Sequence, residues 1–161
     1  MKINFILNGE DEVIRSSRDQ RLTDILRNSF GLHGTKTNCC SGACGLCSVI
    51  FNGHVIKSCL IPAFKISGSE IITIEGFSQT IEYQDIIRGF SEAEANNCGY
   101  CDSGKILTTE ALLSKNPRPD RHDILLAFNG IKCRCTDPEN LIQGVLAAAD
   151  IRQRKLYGNR A

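Results

Sequence analysis

The sequence lacks any long apolar run, and its first residues form no apolar segment of the kind that directs secretion. A transmembrane span and a secreted protein held by disulfides are therefore not expected. The nine cysteines support the same expectation, because an odd number would leave one thiol unpaired in a disulfide framework. Reduced thiols are typical of the cytoplasm, so we expect a cytoplasmic protein.

A surplus of either charge is also missing. The chain has 19 Lys and Arg against 18 Asp and Glu, which gives a formal net charge of +1 at pH 7. Proteins that bind nucleic acid or a membrane surface through charge usually carry a clear basic excess. We therefore expect neither partner.

The motifs of a self-contained enzyme are missing as well. No glycine-rich nucleotide loop follows a predicted strand, and the sequence offers neither a Ser-His-Asp order nor carboxylates with a reason to be adjacent. His33, His54 and His122 lie outside the Cys-x-His motifs that a Rieske centre needs. We expect no catalytic residue and no substrate-converting site in this chain.

Cysteine, by contrast, is abundant, and eight of the nine fall into two groups of four. The first quartet has the spacing Cys-x4-Cys-x2-Cys-x11-Cys, and its x4 and x2 gaps are the plant-type arrangement for a [2Fe-2S] cluster. Zinc also binds four thiolates, but typically from two close pairs, so the spacing favours iron and sulfide. The predicted ligands are Cys39, Cys44, Cys47 and Cys59.

Glycines are interleaved with the first quartet. Gly42 and Gly45 permit a positive φ and a close approach of backbone amides, which can donate hydrogen bonds to cluster sulfurs. We therefore predict that both glycines contribute to cofactor binding. Cys40, the ninth cysteine, is expected to be a partly buried free thiol.

The second quartet is less specific by its spacing. Cys98 and Cys101 form one close pair, and Cys133 and Cys135 form another, an arrangement that suits a structural zinc as well as a [2Fe-2S] cluster. Each pair precedes a predicted helix, where unpaired amides and the helix dipole favour negative ligands. That placement does not distinguish the two metals.

The first half of the chain reads as strands around one helix. Asn-Gly pairs at 8–9 and 52–53 predict two hairpins, and residues 22–30 predict a helix that ends before Gly31. A late strand is predicted from Ile71, Ile72 and Ile74.

The second half changes to helical periodicity. Apolar residues from Tyr83 to Phe90 predict one helix, and Asp102 and Asp120 are the predicted N-caps of the next two. Asp137 and Pro138 open the fourth. The predicted inward residues of the last two helices are Ile124, Leu125, Phe128, Leu141, Ile142, Val145, Leu146 and Ala149.

The sequence resembles, over nearly its full length, the small [2Fe-2S] iron-sulfur subunit of the xanthine oxidase family of molybdenum hydroxylases. Four segments carry this resemblance, and they occur in the order found in that family. That family includes dehydrogenases of the xanthine, nicotinate, aldehyde and CO types and reductases of the 4-hydroxybenzoyl-CoA type. The matching segments are Gly34-Thr35-Lys36, Gly42-x-Cys44-Gly45-x-Cys47-x-Val49, Cys98-Gly99-Tyr100-Cys101 and Cys133-Arg134-Cys135-Thr136.

The resemblance implies an α+β fold with two domains. Residues 1–77 would form a plant-ferredoxin-like β-grasp domain and residues 78–161 a four-helix bundle, each with one [2Fe-2S] cluster. The chain would carry electrons between large molybdopterin-binding and medium FAD-binding subunits, with the second quartet nearer the molybdenum. Two other functions stay open: a free-standing two-cluster ferredoxin and a zinc-stapled interaction module.

The sequence departs from this family at positions expected to face the molybdenum partner. Asn97 replaces the usual Gln that meets the pterin cofactor, Asp102-Ser103 replaces Thr-Pro, and Asp137-Pro138 replaces Gly-Tyr. Lys36 and Arg134 lie beside predicted ligands, where a positive charge would stabilise the reduced cluster. A plain interface or solvated role for either residue is an equally good interpretation.

Overall fold

The structure is a computed structural model that describes residues 1–95 and 98–158, with Tyr157 described by its backbone only. The chain separates into two compact units, Met1–Gln79 and Thr80–Ala161. No helix in the described ranges has the length and apolar character to cross a bilayer.

The first unit is built on a five-stranded sheet in the order β2-β1-β5-β3-β4. Strand β5 runs parallel to β1, and the other neighbouring strands are antiparallel. The elements are β1 (Lys2–Leu7), β2 (Glu10–Arg15), α1 (Leu22–Asn28), β3 (Ser48–Phe51), β4 (His54–Lys57), β5 (Glu70–Ile72) and α2 (Ile74–Phe77), with 3-10 turns at Ser58–Leu60 and Ala63–Lys65.

Helix α1 packs its apolar face on one face of this sheet. Alternate residues of β1 are buried, and Leu22, Ile25 and Leu26 of α1 complete the same core. Both predicted hairpins are present, because Asn8 and Asn52 and the glycines that follow them all adopt positive φ. A mixed β-sheet packed against one helix is the architecture predicted for the ferredoxin-like domain.

Two predictions in this unit were wrong in their details. Helix α1 ends at Asn28 rather than at residue 30, because Gly31 turns the chain at φ +67° and the Leu32 amide donates back to the Leu26 carbonyl. Ile74 is not in a strand: the pairing of β5 with β3 stops at Ile72, and Ile74 begins α2.

In its described residues, the second unit contains four helices, as predicted. They are α3 (Ile81–Glu92), α4 (Asp102–Lys115), α5 (Arg121–Phe128) and α6 (Pro138–Tyr157). Helices α3 and α6 approach closely at Gly89, where an added Cβ would lie 2.4 Å from the Ala148 backbone nitrogen. The absence of a side chain at Gly89 therefore sets the distance between these two helices.

Of the three Asp residues predicted to begin helices, two are N-caps in the structure. The Asp120 side chain accepts from the Asp123 amide in a capping box, and Asp137 accepts from the Glu139 amide at 2.8 Å with Pro138 at the first position of α6. Asp102, however, is the first residue of α4 and not its cap, which is Cys101.

The predicted core of the last two helices is correct except at its edges. Ile124 and Phe128 are buried, but Leu125 is 48% exposed, because α5 is short and only one side of it meets the bundle. In α6, Ile142, Val145 and Ala149 are buried. Leu141 and Leu146 are half-buried at the margin of the stripe.

Candidate iron-sulfur centres

The first quartet is assembled by a single loop and a turn of the sheet domain. Cys39, Cys44 and Cys47 lie in the loop between α1 and β3, and Cys59 lies in the 3-10 turn after β4. All but Cys39 are buried, and Cys39 is half-buried. The thiols act on each other, Cys39 with Cys44 and Cys59 with both Cys47 and Cys39. The fold therefore gathers all four predicted sulfurs into one place.

Backbone amides surround these sulfurs because the loop uses left-handed conformations. Gly42 and Gly45 have φ values of +77° and +72°, and the Ser41 amide donates to the Cys39 sulfur at 3.5 Å. A Cβ on Gly42 would lie 2.6 Å from a methyl carbon of Leu60. Gly42 therefore meets both a conformational and a steric requirement of the loop.

The pKa values in the first quartet show the same environment. The Ser41 amide and hydroxyl, with the Cys44 thiol, lower the pKa of Cys39 to about 6. Burial raises the pKa of Cys59 to about 11, helped by the neighbouring Cys47. A hydrogen-bond donor at one sulfur and mutual repulsion between adjacent sulfurs are expected where several thiols lie close together.

The second quartet lies at helix starts of the bundle. Cys101 is the N-cap of α4, and Cys133 and Cys135 come just before α6. Cys101 interacts with Cys133 and Cys98, and Cys135 interacts with Cys98 and Cys133, so the four thiols form one connected group.

Burial and neighbours separate the pKa values in this quartet. Burial raises the pKa of Cys101 to about 11, with a further contribution from Cys133. Burial acts to raise the pKa of Cys133 as well, but hydrogen bonds from the Thr136 hydroxyl, the Thr136 amide and the Cys135 amide lower it overall. A hydrogen bond with Cys98 raises the pKa of Cys135.

Each quartet has the donor set that a [2Fe-2S] cluster requires. Four thiolates complete the tetrahedra of two sulfide-bridged irons, and backbone amides and helix N-termini favour the negative charge of such a centre. None of the nine cysteines, all of which the structure describes, is in a disulfide. Within the described ranges, no three His, Cys, Asp or Glu side chains converge as ligands of a single metal ion, and each quartet is a candidate for a two-iron cluster instead.

The other predicted site residues differ in their exposure and in their contacts. Lys36 is half-buried, and its amide donates to the Leu46 carbonyl inside the first loop. Arg134 lies between two cysteines of the second quartet but is exposed. Asn97 lies outside the described residues.

Two of the unusual segments near the second quartet have local structural explanations. Asp137 and Pro138 make a standard start for α6, as described above. Asp102 forms an ion pair at 2.8 Å with Lys105, three residues later on α4.

Sequence reasoning did not identify Lys105. Its side chain is 1% exposed and its ammonium lies among the residues that flank the second quartet. The signal was present, because Lys105 stands directly before the apolar Ile106 and Leu107, in a stretch of α4 that is buried from Ser103 to Thr109. Asp102 at i−3 was the partner to look for.

Both halves of the chain match known domain families. Residues 5–71 match the "2Fe-2S iron-sulfur cluster binding domain" and residues 73–146 match the "[2Fe-2S] binding domain". Each match contains one of the two cysteine quartets.

Whole-chain relatives match over most of their length. The chain is 45% identical to the nicotinate dehydrogenase small FeS subunit of Eubacterium barkeri over 134 residues, which cover 83% of this chain and 85% of that one. It is 34% identical over 152 residues to a nicotinate dehydrogenase subunit of Pseudomonas putida, with 94% of this chain and 97% of that one covered.

A solved structure has the same fold. One chain of quinoline 2-oxidoreductase from Pseudomonas putida 86 superposes with a TM-score of 0.87 at 34% identity, and the match covers 96% of both chains. The likeness therefore extends through both units.

Proposed function

Because the chain belongs to the small iron-sulfur subunits of the xanthine oxidase family of molybdenum hydroxylases, we propose that each cysteine quartet holds one [2Fe-2S] cluster. The observation that carries this proposal is the grouping of eight thiols into two connected sets, one inside each 2Fe-2S domain match. The proposed ligands are Cys39, Cys44, Cys47 and Cys59 for the first cluster and Cys98, Cys101, Cys133 and Cys135 for the second.

A bound [2Fe-2S] cluster supplies a carrier that accepts and releases one electron. The chain's own residues hold that carrier and set its surroundings. In the sheet domain, about residues 1–77, the Ser41 and Gly42 amides donate toward the sulfurs of Cys39 and Cys59, and Gly45 contributes a positive φ to the loop. In the helical domain, about residues 78–161, the starts of α4 and α6 supply the positive end of the helix dipole.

We further propose that the chain conducts electrons between two partner subunits, a large one that binds a molybdopterin cofactor and a medium one that binds FAD. The names of the relatives support a multi-subunit dehydrogenase, since two of them are subunits of nicotinate dehydrogenases. The near-neutral charge of the chain gives no support for a nucleic-acid partner. The reduced thiols suit assembly of the clusters in a reducing cytoplasm.

The first test is the metal content of the chain purified without oxygen. We expect about four irons and about four acid-labile sulfides per chain, with no zinc, if both quartets hold [2Fe-2S] clusters. About two zinc ions and no sulfide would contradict the proposal. Co-expression with molybdopterin- and FAD-binding subunits tests the circuit separately, because a free-standing ferredoxin would not co-purify with them.

A further inference from the structure

The ammonium group of Lys105 is enclosed inside the helical unit. It donates hydrogen bonds to the Ala95 carbonyl at 2.9 Å and to the Thr136 hydroxyl at 3.1 Å. It also lies 2.8 Å from Asp102 Oδ1, at an angle that makes this contact an ion pair without a hydrogen bond. The ring of Phe90 covers another side, with its centre 5.8 Å from the nitrogen.

The surroundings of the Lys105 nitrogen are those that an ammonium group needs. Its two hydrogen bonds end on oxygens that accept, and the ion pair adds the negative charge of a carboxylate. A buried ammonium is costly to desolvate, and an apolar side chain of similar length would fill the same space without that cost. The buried charge therefore calls for a role beyond packing.

One hydroxyl separates the ammonium from a predicted cluster ligand. The Cys133 thiol donates to the Thr136 oxygen at 3.6 Å, and the Thr136 hydroxyl donates to the Ala95 carbonyl at 3.1 Å. Lys105 already donates to both that carbonyl and the Thr136 oxygen. Because Lys105 keeps the Ala95 carbonyl paired, the Thr136 hydroxyl can turn to donate to the sulfur when Cys133 is a thiolate.

The positive charge of Lys105 also acts on other sulfurs of the second quartet. Lys105 acts electrostatically on both Cys101 and Cys135, in the direction that favours the thiolate of each. Because Lys105 is buried, this field is weakly screened, whereas the charge of the exposed Arg134 is screened by water and salt.

We propose that Lys105, with its partner Asp102 and the Thr136 hydroxyl, sets the reduction potential of the second [2Fe-2S] centre. The inference rests on the proposed function, because it requires a cluster at the second quartet. Reduction adds one electron to that centre and moves no proton, so a buried cation stabilises the reduced form more than the oxidised form. Lys105 is thus a positioning residue that acts through charge and through Thr136.

The test is a redox titration with dithionite on the intact chain with both clusters. The reduction of each centre is monitored by EPR. A Cys44→Ser variant assigns the signals, because it removes a proposed ligand of the first centre only. For Lys105→Met we expect the equilibrium constant for reduction of the second centre to fall at least tenfold, which is about 59 mV for a one-electron couple. The first centre should keep its potential and serve as an internal reference.

Three further variants separate charge from packing. Asp102→Asn keeps the cation and removes its counter-charge, so the potential of the second centre should rise. The double variant Asp102→Asn with Lys105→Met should shift it less than Lys105→Met alone. Thr136→Val should lower it, because the sulfur loses a hydrogen-bond donor.

Lys115→Met is the matched control. It removes the same charge from an exposed position on the same helix, ten residues or about 15 Å along the axis, and should leave both potentials unchanged.

The outcomes distinguish this inference from the proposed function. A wild-type chain without iron and sulfide at the second quartet would overturn both. A wild-type chain with two [2Fe-2S] centres whose potentials do not respond to Lys105→Met or Asp102→Asn would overturn the inference alone. If Lys105→Met fails to assemble the second centre, Asp102→Asn decides: a raised potential supports the inference and an unchanged one overturns it.

Discussion

Cys39 and Cys40 are neighbours in the chain with different surroundings. The Cys39 sulfur receives the Ser41 amide and interacts with Cys44, whereas Cys40 is a half-buried free thiol on a residue with φ +53°. Cys39, the predicted ligand, and Cys40, the predicted free thiol, therefore differ in backbone conformation as well as in their contacts. Adjacent side chains on a tightly turned loop point in different directions.

This difference leads to a prediction about cluster content. Cys44→Ser should lose the first centre and about half of the iron and sulfide, whereas Cys40→Ser should keep about four of each. Iron and sulfide analysis with EPR on anaerobically purified variants measures both. Loss of a centre in Cys40→Ser would mean that Cys40 is a ligand and that the quartet is wrongly assigned.

At the scale of the element, the helical unit depends on how its helices begin and how closely they pack. Helix α6 begins at Asp137, directly after the cysteine pair, and its side chain satisfies the Glu139 amide. Helix α3 reaches α6 through Gly89. Both features hold the second quartet in place indirectly, by fixing the helices that flank it.

The N-cap of α6 can be tested by truncation. Asp137→Ala leaves an amide of the first turn without its acceptor, which should lower the free energy of unfolding by about 1 kcal/mol. Asp150→Ala is the control, since it removes an exposed carboxylate whose pairing with Arg154 is worth about 0.5 kcal/mol or less. Urea denaturation of each variant gives the comparison, and equal losses would argue against a capping role for Asp137.

The contact between α3 and α6 gives a second prediction at this scale. Gly89→Ala improves intrinsic helix propensity, but its methyl group would meet the backbone of Ala148 and Gly144, so we expect a net loss of about 1–3 kcal/mol. Gly158→Ala, where nothing lies within 4 Å of the added carbon, should be close to neutral. Thermal denaturation distinguishes them, and a stabilised Gly89→Ala would show that the helices can separate at little cost.

At the scale of the whole molecule, each compact unit contains one quartet and is built from about 80 residues. Domains of that size bury limited apolar surface, and a metal centre commonly adds the stability they need. The proposed clusters therefore have a structural role in each unit as well as a redox role.

Removal of the clusters should accordingly destabilise both units. We expect a chain stripped of iron by chelation to lose roughly several kcal/mol of unfolding free energy in each unit. Cys44→Ser should show this loss in the first unit only. Urea denaturation under anaerobic conditions, monitored by circular dichroism and by cluster absorbance, measures the effect. Equal stability with and without iron would show that the two cores suffice alone.

The sequence by itself determined the features that depend on short spacings. The two cysteine quartets, the Asn-Gly hairpins and the caps at Asp120 and Asp137 were all predicted, because each depends on a few residues and on local backbone geometry. The order of strand-rich and helical halves followed from a change in hydrophobic period. The family resemblance added the two-domain architecture.

Only the tertiary structure decided features that depend on neighbours from elsewhere in the chain. Leu125 is exposed because of how α5 meets the bundle, and Ile74 leaves the sheet because the pairing of β5 with β3 has ended. Lys105 is the clearest case. A lysine is expected in water, and although its partner Asp102 lies on the same helix, its burial depends on Ala95 and Thr136, which folding brings from other segments.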